Sequence, residues 1–191
     1  AKIGEKKQLD DSCIHGKFDV DAQRKFSLKL MEHMGIDLNL CGLGETEHPF
    51  TTSIGSHRDV RITTNYNEND LSASMYSVIH EGGHALYDMN SKDSFAYTIL
   101  DGGVSMGIHE SQSRFYENYI GRSREFIACI FPKLCEIFPQ LCDYTAEDVY
   151  NLSAVACEQP YDMFVSCEHN IFDARSLLAL HVLVGKEVNI V

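Results

Sequence analysis

The segment VIHEGGHALYDMN, residues 78–90, constrains the chain more than any other, because it places two histidines and two adjacent glycines inside one helical pattern. Apolar residues recur on a single helical face over residues 71–89, which predicts a long amphipathic helix. His80 and His84 are four residues apart, so on this helix they share a face and lie about one turn from each other.

The spacing of the two histidines predicts a metal site. Imidazoles on one helical face can bind a single zinc ion at distances of about 2.0–2.1 Å. Glu81 then lies beside the ion rather than on it, a position that suits a general base for a metal-activated water. The alternative is a helix that carries His80 and His84 on its surface and binds no metal.

Two adjacent glycines, Gly82 and Gly83, interrupt the same helix. Each glycine costs roughly 1 kcal/mol relative to alanine in a helix interior, or about 2 kcal/mol for the pair. We therefore expect another backbone segment or the substrate to pass close to this turn, where a Cβ atom would obstruct it. The alternative is that the helix tolerates both glycines without such a neighbour.

A catalytic zinc ion usually has a third protein ligand and an open fourth position. Glu110 is the best candidate for that ligand, because it follows His84 by 26 residues and lies in the next predicted helix, residues 103–120. An intervening loop would let the two helices pack antiparallel and bring Glu110 to the metal. The alternative is a surface ion pair between Glu110 and Arg114. His109 is an alternative ligand, or a neighbour that hydrogen-bonds the substrate.

Two further residues precede the metal motif as candidate substrate contacts. His48 stands before a Pro-Phe pair at the end of a loop, where a lone histidine is more often structural. Arg61 falls in DVRITTNY, whose alternation over residues 59–66 predicts a strand. A guanidinium there can bind a substrate carboxylate in a bidentate fork. The alternative for Arg61 is a surface pair with Asp59.

The remaining segments predict a mainly helical single domain. A chain of 191 residues suits one domain, taken as residues 1–191. Periodicity and capping residues predict further helices, over residues 19–34, 123–138 and 145–157. Residues 36–50 are rich in glycine and predict a loop. The tail over 157–191 fits either a helix or a strand.

Charge and cysteine content limit the partners and the compartment. The net charge of −12 argues against nucleic acid or an anionic membrane surface as a partner. No segment approaches the roughly 20 apolar residues of a membrane span, and the start of the chain does not read as a secretory signal. The seven cysteines are odd in number and form no C-x-x-C pair, so we expect reduced thiols in a cytoplasmic protein.

Four motifs in order resemble the carboxypeptidase Taq family of zinc metallocarboxypeptidases. They are HPF at residues 48–50, DVRIT at 59–63, HEGGH at 80–84 and HESQ at 109–112. HExxH alone is shared by many proteases, whereas the four motifs in this order are specific. The resemblance implies a mostly helical fold with a small β-sheet beside the active-site helix.

The resemblance also implies a chemistry and the residues that perform it. It implies zinc or cobalt bound by His80, His84 and Glu110, with Glu81 as the catalytic base. It implies removal of C-terminal amino acids from peptides, usually by a homodimer. Substrate-binding roles are implied for the remaining motif residues, namely His48, Arg61 and His109.

Departures from the family pattern lead to further hypotheses. Family members are much longer and have a large helical portion before the first motif, and neither the IRxxAD nor the GxxQDxHW signature is intact here. The chain therefore matches the metal-binding middle of such an enzyme. One alternative is a metal-binding but catalytically impaired fragment that self-associates through exposed apolar patches. Another is an endopeptidase or aminopeptidase with the same zinc chemistry.

Overall fold

Five α-helices and one small sheet form the part of the chain that the computed structural model describes, residues 13–103 and 105–156. The helices are α1 (Val20–His33), α2 (Leu71–Met89), α3 (Met106–Arg114), α4 (Arg124–Ile137) and α5 (Ala146–Ala156). The mainly helical fold with a small sheet is thereby confirmed. None of the described helices is both long and apolar enough to span a membrane. The tail over 157–191 lies outside the described residues, and the single domain over the whole chain stays a prediction.

Short polar side chains set the helix starts. The Asp70 carboxylate accepts hydrogen bonds from the Ser72 and Ala73 N–H groups, so α2 begins where the apolar periodicity begins. The starts of α1, α3 and α4 are capped in the same way, by Asp19, Ser105 and Ser123. The cap at Ser105 starts α3 three residues later than predicted, and a π-helix over Phe115–Gly121 continues the helical path to the predicted end.

The sheet has three strands, β1 (Cys41–Glu45), β2 (Thr51–Ser53) and β3 (Val60–Thr64), in the order β1-β3-β2. β1 runs parallel to β3, and β2 runs antiparallel to it with Thr51 opposite Ile62. The strand predicted within residues 59–66 is confirmed. The loop predicted over residues 36–50 is wrong at β1, because pairing with β3 along the whole of β1 outweighs the low strand propensity of its two glycines.

Helix α2 lies at the centre of the described fold. It packs against α1, α3 and the inner face of the sheet. β3 directs Val60 and Ile62 into the core, where both are fully buried, and Arg61 to the opposite, exposed face. Three side chains of α2 are also fully buried: Val78, Ile79 and Ala85. Tertiary packing therefore holds the histidine-bearing helix on several sides.

Candidate metal centre

Three side chains predicted as metal ligands lie together between α2 and α3. Nε2 of His80 is 3.5 Å from Oε2 of Glu110, and Nε2 of His84 is 3.3 Å from the same oxygen. Their ligand atoms all lie within 4.8 Å of one another. Within residues 13–103 and 105–156, this is the one group of three or more histidine, cysteine or acidic side chains that converges in this way.

The donor set fits a divalent ion such as zinc. Imidazole nitrogens and carboxylate oxygens bind zinc at about 2.0–2.2 Å, so two donors on a tetrahedral ion lie about 3.4 Å apart. The distances from Oε2 of Glu110 to Nε2 of His80 and of His84, 3.5 and 3.3 Å, agree with that spacing. Three protein donors also leave a fourth position for water or substrate, as in catalytic zinc sites.

Gly83 allows α3 to approach α2 closely enough for Glu110 to reach the histidines. A Cβ atom on Gly83 would lie 2.8 Å from Cα of Ser113, a backbone atom of α3. The expected backbone neighbour is therefore confirmed at Gly83. At Gly82 the nearest atom would be the terminal methyl of Met34, at 2.7 Å, which is the flexible end of a side chain. The two glycines thus serve different contacts.

His80 has a second carboxylate partner at its other ring nitrogen. Its Nδ1 is 2.8 Å from Oε2 of Glu117, which belongs to the π-helix. Arg114 and Arg122 also contact Glu117, at 3.2 and 3.3 Å. Because an ionised carboxylate only accepts, Nδ1 of His80 donates to Glu117 while Nε2 faces Glu110. The sequence motifs do not include Glu117, although its place seven residues after Glu110 puts both on one helical face.

Carboxylates at both ring nitrogens make His80 strongly basic. Burial would lower the pKa of His80, but the hydrogen bonds to Glu110 and Glu117 outweigh burial and raise this pKa to about 9. Burial would likewise raise the pKa of Glu110, yet its hydrogen bonds to His80 and His84 hold that pKa well below the usual range. A proton and a metal ion therefore compete for Nε2 of His80, so metal binding releases a proton.

The ion pair considered as the alternative for Glu110 is present as well. Nε of Arg114 donates to Oε1 of Glu110 at 2.8 Å, whereas both histidines face Oε2. The two interactions use different oxygens and do not exclude each other. Arg114 thereby orients the carboxylate while Oε2 stays directed at the histidines.

The predicted base, Glu81, is buried, with 7% of its surface exposed. Oγ1 of Thr51 lies 2.6 Å from Oε2 of Glu81 and 3.0 Å from the Glu81 carbonyl oxygen. The hydroxyl carries one proton, so it donates to one of these oxygens at a time. Thr51 is the first residue of β2 and directly follows the HPF motif, but no local pattern marks it as a partner of Glu81.

The three residues predicted to bind substrate lie in different places. His48 is exposed in the loop before β2. Arg61, on the outer face of the sheet, donates hydrogen bonds to Asp59 at 3.0 and 3.1 Å and lines an open groove of about 810 Å³. His109 adjoins the metal cluster, with its Nδ1 2.7 Å from Nδ1 of His84. Arg61 therefore faces away from α2, whereas His109 contacts a predicted ligand, and all three substrate roles stay predictions.

The fold and the site together have the features of a metallopeptidase metal centre. A helix carries the histidine pair and an adjacent buried glutamate, and the next helix adds a third donor. The family model described as Carboxypeptidase Taq (M32) metallopeptidase matches residues 1–157, so the chain belongs to this family. The resemblance carried by the four motifs is thereby confirmed.

Relatives and solved structures agree with this assignment. The chain is 46% identical to thermostable carboxypeptidase 1 of Pyrococcus furiosus over 135 residues, which is 70% of this chain and 27% of that protein. It is 38% identical to thermostable carboxypeptidase 1 of Thermus thermophilus over 188 residues, or 98% of this chain and 35% of that protein. The chain therefore spans about a third of the length of these relatives.

Solved structures also match the described fold. The M32 carboxypeptidase from Deinococcus radiodurans R1 superposes with a TM-score of 0.72 at 40% identity, covering 75% of this chain and 29% of that one. The Pyrococcus furiosus carboxypeptidase, in a structure described as Apo-Mg, gives a TM-score of 0.72 at 42% identity, covering 78% and 30%. The chain thus corresponds in fold to a part of these enzymes that is shorter than a third of their length.

Proposed function

We propose that this chain provides the metal-binding and catalytic centre of a metallocarboxypeptidase, which removes C-terminal amino acids from peptides. One observation carries the proposal: Nε2 of His80 and of His84 converge on Oε2 of Glu110, at 3.5 and 3.3 Å, in a chain of the carboxypeptidase Taq family. The spacing supports zinc as the ion, with cobalt as a substitute. A divalent ion held there would polarise the scissile carbonyl and lower the pKa of a water molecule.

The side chains of this protein would orient the substrate and move the proton. Glu81 would accept a proton from the attacking water and deliver it to the leaving amine. Its burial and the 2.6 Å contact with Thr51 support this role, because they hold the carboxylate in one orientation. His48 and Arg61 are proposed to contact the peptide, and a guanidinium suits its terminal carboxylate. His109 is proposed to act through its contact with His84.

We also propose a homodimer in the cytoplasm. In the described part of the chain the five cysteines are all free thiols, which supports a reducing compartment. They are Cys13, Cys41, Cys129, Cys135 and Cys142. Apolar side chains in the loop that connects α2 to α3 are exposed, which supports association of two copies of the chain. They are Tyr97 (85%), Ile99 (101%) and Leu100 (61%).

A metal-binding centre without turnover is the second candidate function. The same exposed apolar segment favours it, together with the match to only 27–35% of the length of the relatives. A substrate pocket that depends on residues beyond this span would be incomplete, while the ligand set within residues 80–110 would still bind an ion.

The experiment that separates these candidates measures peptide hydrolysis and metal content on the same sample. One peptide is offered with a free C-terminal carboxylate and as its C-terminal amide, with and without a chelator. About one equivalent of zinc and chelator-sensitive trimming of the free acid alone are expected. Zinc without turnover would favour the second candidate. Cleavage of the amide would indicate an endopeptidase or an aminopeptidase instead, and a peptide blocked at both ends separates the two, because only an endopeptidase cleaves it.

Two matched variants test the proposed base. Glu81→Gln should still bind zinc but lose about 10²–10⁴-fold in kcat/KM, because the amide cannot accept the proton. Glu136→Gln changes an exposed glutamate on α4 in the same way and should keep full activity. A Glu81→Gln protein that binds zinc and retains full activity would rule out Glu81 as the base.

A further inference from the structure

Three side chains form a continuous hydrogen-bonded row behind the metal cluster. Nδ1 of His84 is 2.7 Å from Nδ1 of His109, and Nε2 of His109 is 2.8 Å from Oδ1 of Asp88. Asp88 lies near the end of α2 and His109 in α3. The side chains of His84, His109 and Asp88 are 12%, 17% and 8% exposed, so water competes little for these hydrogen bonds.

The row determines which nitrogen of His84 carries the proton. The ionised Asp88 carboxylate only accepts, so Nε2 of His109 must donate to it. In the neutral imidazole of His109, Nδ1 is then an acceptor, and Nδ1 of His84 must be the donor. The lone pair of His84 is therefore on Nε2, the atom that lies 3.3 Å from Oε2 of Glu110.

The packing around His109 holds the row in this arrangement. Ser53 of β2 contacts the other carboxylate oxygen of Asp88 at 3.3 Å. The Tyr87 ring meets the His109 ring edge-on, at a centroid distance of 5.1 Å. A Cβ atom on Gly103 would lie 2.5 Å from Cδ2 of His109, so a glycine is required for the loop to cover this ring. Both nitrogens of His109 are engaged inside the protein, and its side chain is 17% exposed.

We propose that Asp88 and His109 are positioning residues that fix the tautomer and orientation of His84 and thereby raise the affinity of the metal centre. The inference rests on the proposed metal site, and it places His109 behind a ligand rather than against the substrate. His80 has the equivalent support directly, from Glu117 at 2.8 Å. Each histidine thus donates from Nδ1 and leaves Nε2 directed at the position that would hold the ion, a pattern in which the outer acceptor orients the ring.

Asp88 has a sequence signal that could have revealed it. It follows His84 by four residues, so the motif read along one helical face is His80, His84 and Asp88. The signal was insufficient alone, because Asp88 reaches His84 only through a residue of another helix.

The test measures the zinc affinity of the 191-residue chain by competition with a chromophoric chelator. Asp88→Asn and His109→Leu should each weaken zinc binding about 10–100-fold, the usual effect of removing an outer partner of a ligand. His109→Gln should stay within about threefold of the wild type, because its amide can accept from His84 and donate to Asp88. The absorption spectrum of the cobalt-loaded protein should change in Asp88→Asn and return in His109→Gln, a readout that a folding defect would not reproduce.

Asp101→Asn is the matched control. Asp101 lies 2.9 Å from Nδ1 of a buried histidine, His57, whose other nitrogen contacts Asp93 rather than a proposed metal ligand. The control should bind zinc with wild-type affinity. The inference would be overturned if the Asp88→Asn protein bound zinc as tightly as the Asp101→Asn protein. Equal zinc affinities of the His109→Leu and His109→Gln proteins would overturn it as well. A wild-type chain with no measurable zinc affinity would instead overturn the proposed function, and the inference with it.

Discussion

Two clusters of histidine and carboxylate side chains have the same composition but different geometry. In the candidate metal centre, His80 and His84 each use Nδ1 for a protein partner and direct Nε2 towards Glu110. In the second cluster, His57 contacts Asp101 through Nδ1 and a second carboxylate, that of Asp93, through Nε2, both at 2.9 Å.

His57 can satisfy two carboxylates only as an imidazolium ion, because both nitrogens must donate. The hydrogen bonds to Asp93 and Asp101 accordingly raise the pKa of His57. Each nitrogen of His57 is held at 2.9 Å by its own carboxylate, so this cluster joins the turn after β2 to the loop after α2 as a cross-link. His80 also has a carboxylate at each ring nitrogen, but its Nε2 and that of His84 converge on one oxygen of Glu110, at 3.5 and 3.3 Å. Convergence of donor atoms, rather than the types of residue, therefore separates the candidate metal centre from a structural cross-link.

The largest expected difference between the clusters is in metal affinity. His80→Ala removes a donor and should weaken zinc binding by more than about 100-fold, since the loss of an outer partner alone costs about 10–100-fold. His57→Ala removes a histidine of the other cluster and should leave zinc affinity unchanged. Competition with a chelator measures the zinc affinity of both variants. An equal loss of zinc affinity in the two variants would contradict the difference between the clusters.

The next largest effect concerns the strand that supports the metal centre. Thr51→Val removes the hydroxyl 2.6 Å from Oε2 of Glu81 and should lower kcat by about 10- to 100-fold, because a hydrogen bond to a charged group contributes roughly 1.5–3 kcal/mol. Thr52→Val alters the exposed neighbour on the opposite face of β2 and is the control. Steady-state kinetics should show a kcat change without loss of zinc. Equal kinetics for the two valine variants would show that the Thr51 hydroxyl does not support Glu81 in catalysis.

A smaller effect is expected from the two glycines, since only one of them controls the approach of α3. Gly83→Ala should lower the free energy of unfolding by up to about 2 kcal/mol, because overpacking against a backbone costs about 1–3 kcal/mol and the gain in helix propensity offsets about 1 kcal/mol. Gly82→Ala meets the flexible end of Met34 and should be nearly neutral. Denaturant unfolding measures both changes.

Zinc affinity is a second measurement that distinguishes the two glycine variants. Gly83→Ala should also weaken zinc binding, because Glu110 depends on the position of α3, whereas the His57 cross-link should be unaffected. A Gly83→Ala protein as stable and as tightly zinc-bound as Gly82→Ala would contradict the role given to this close approach.

The smallest effect is a pH dependence in the protection of the loop that the His57 cross-link holds. The folded-state pKa of His57 is raised, so its stabilisation is fully present below the unfolded value, about 6.5, and is lost as the pH rises through the higher folded value. Hydrogen exchange of the amides in residues 91–102 should therefore show less protection at alkaline pH, after correction for intrinsic rates. His57→Gln should abolish this dependence. A wild-type loop whose corrected protection is constant with pH would argue against the charged cross-link.

Local patterns were enough to predict the elements in which the site is built. The period of apolar residues and the cap at Asp70 depend only on neighbours in sequence, and the start of α2 was predicted to the residue. The strand β3 has a local alternation and was predicted as well. β1 was not, because its five residues contain two glycines and are held as a strand by hydrogen bonds to β3.

The sequence by itself determined that His80 and His84 share one helical face with Glu81 beside them, since helix geometry relates residues four apart. It marked Glu110 as a candidate third ligand only by motif and order. Tertiary structure decided that Oε2 of Glu110 meets both histidines, and that Thr51 and the His109–Asp88 pair lie behind them. Those contacts join separate elements, and helix and sheet packing, rather than sequence spacing, sets the distances across them.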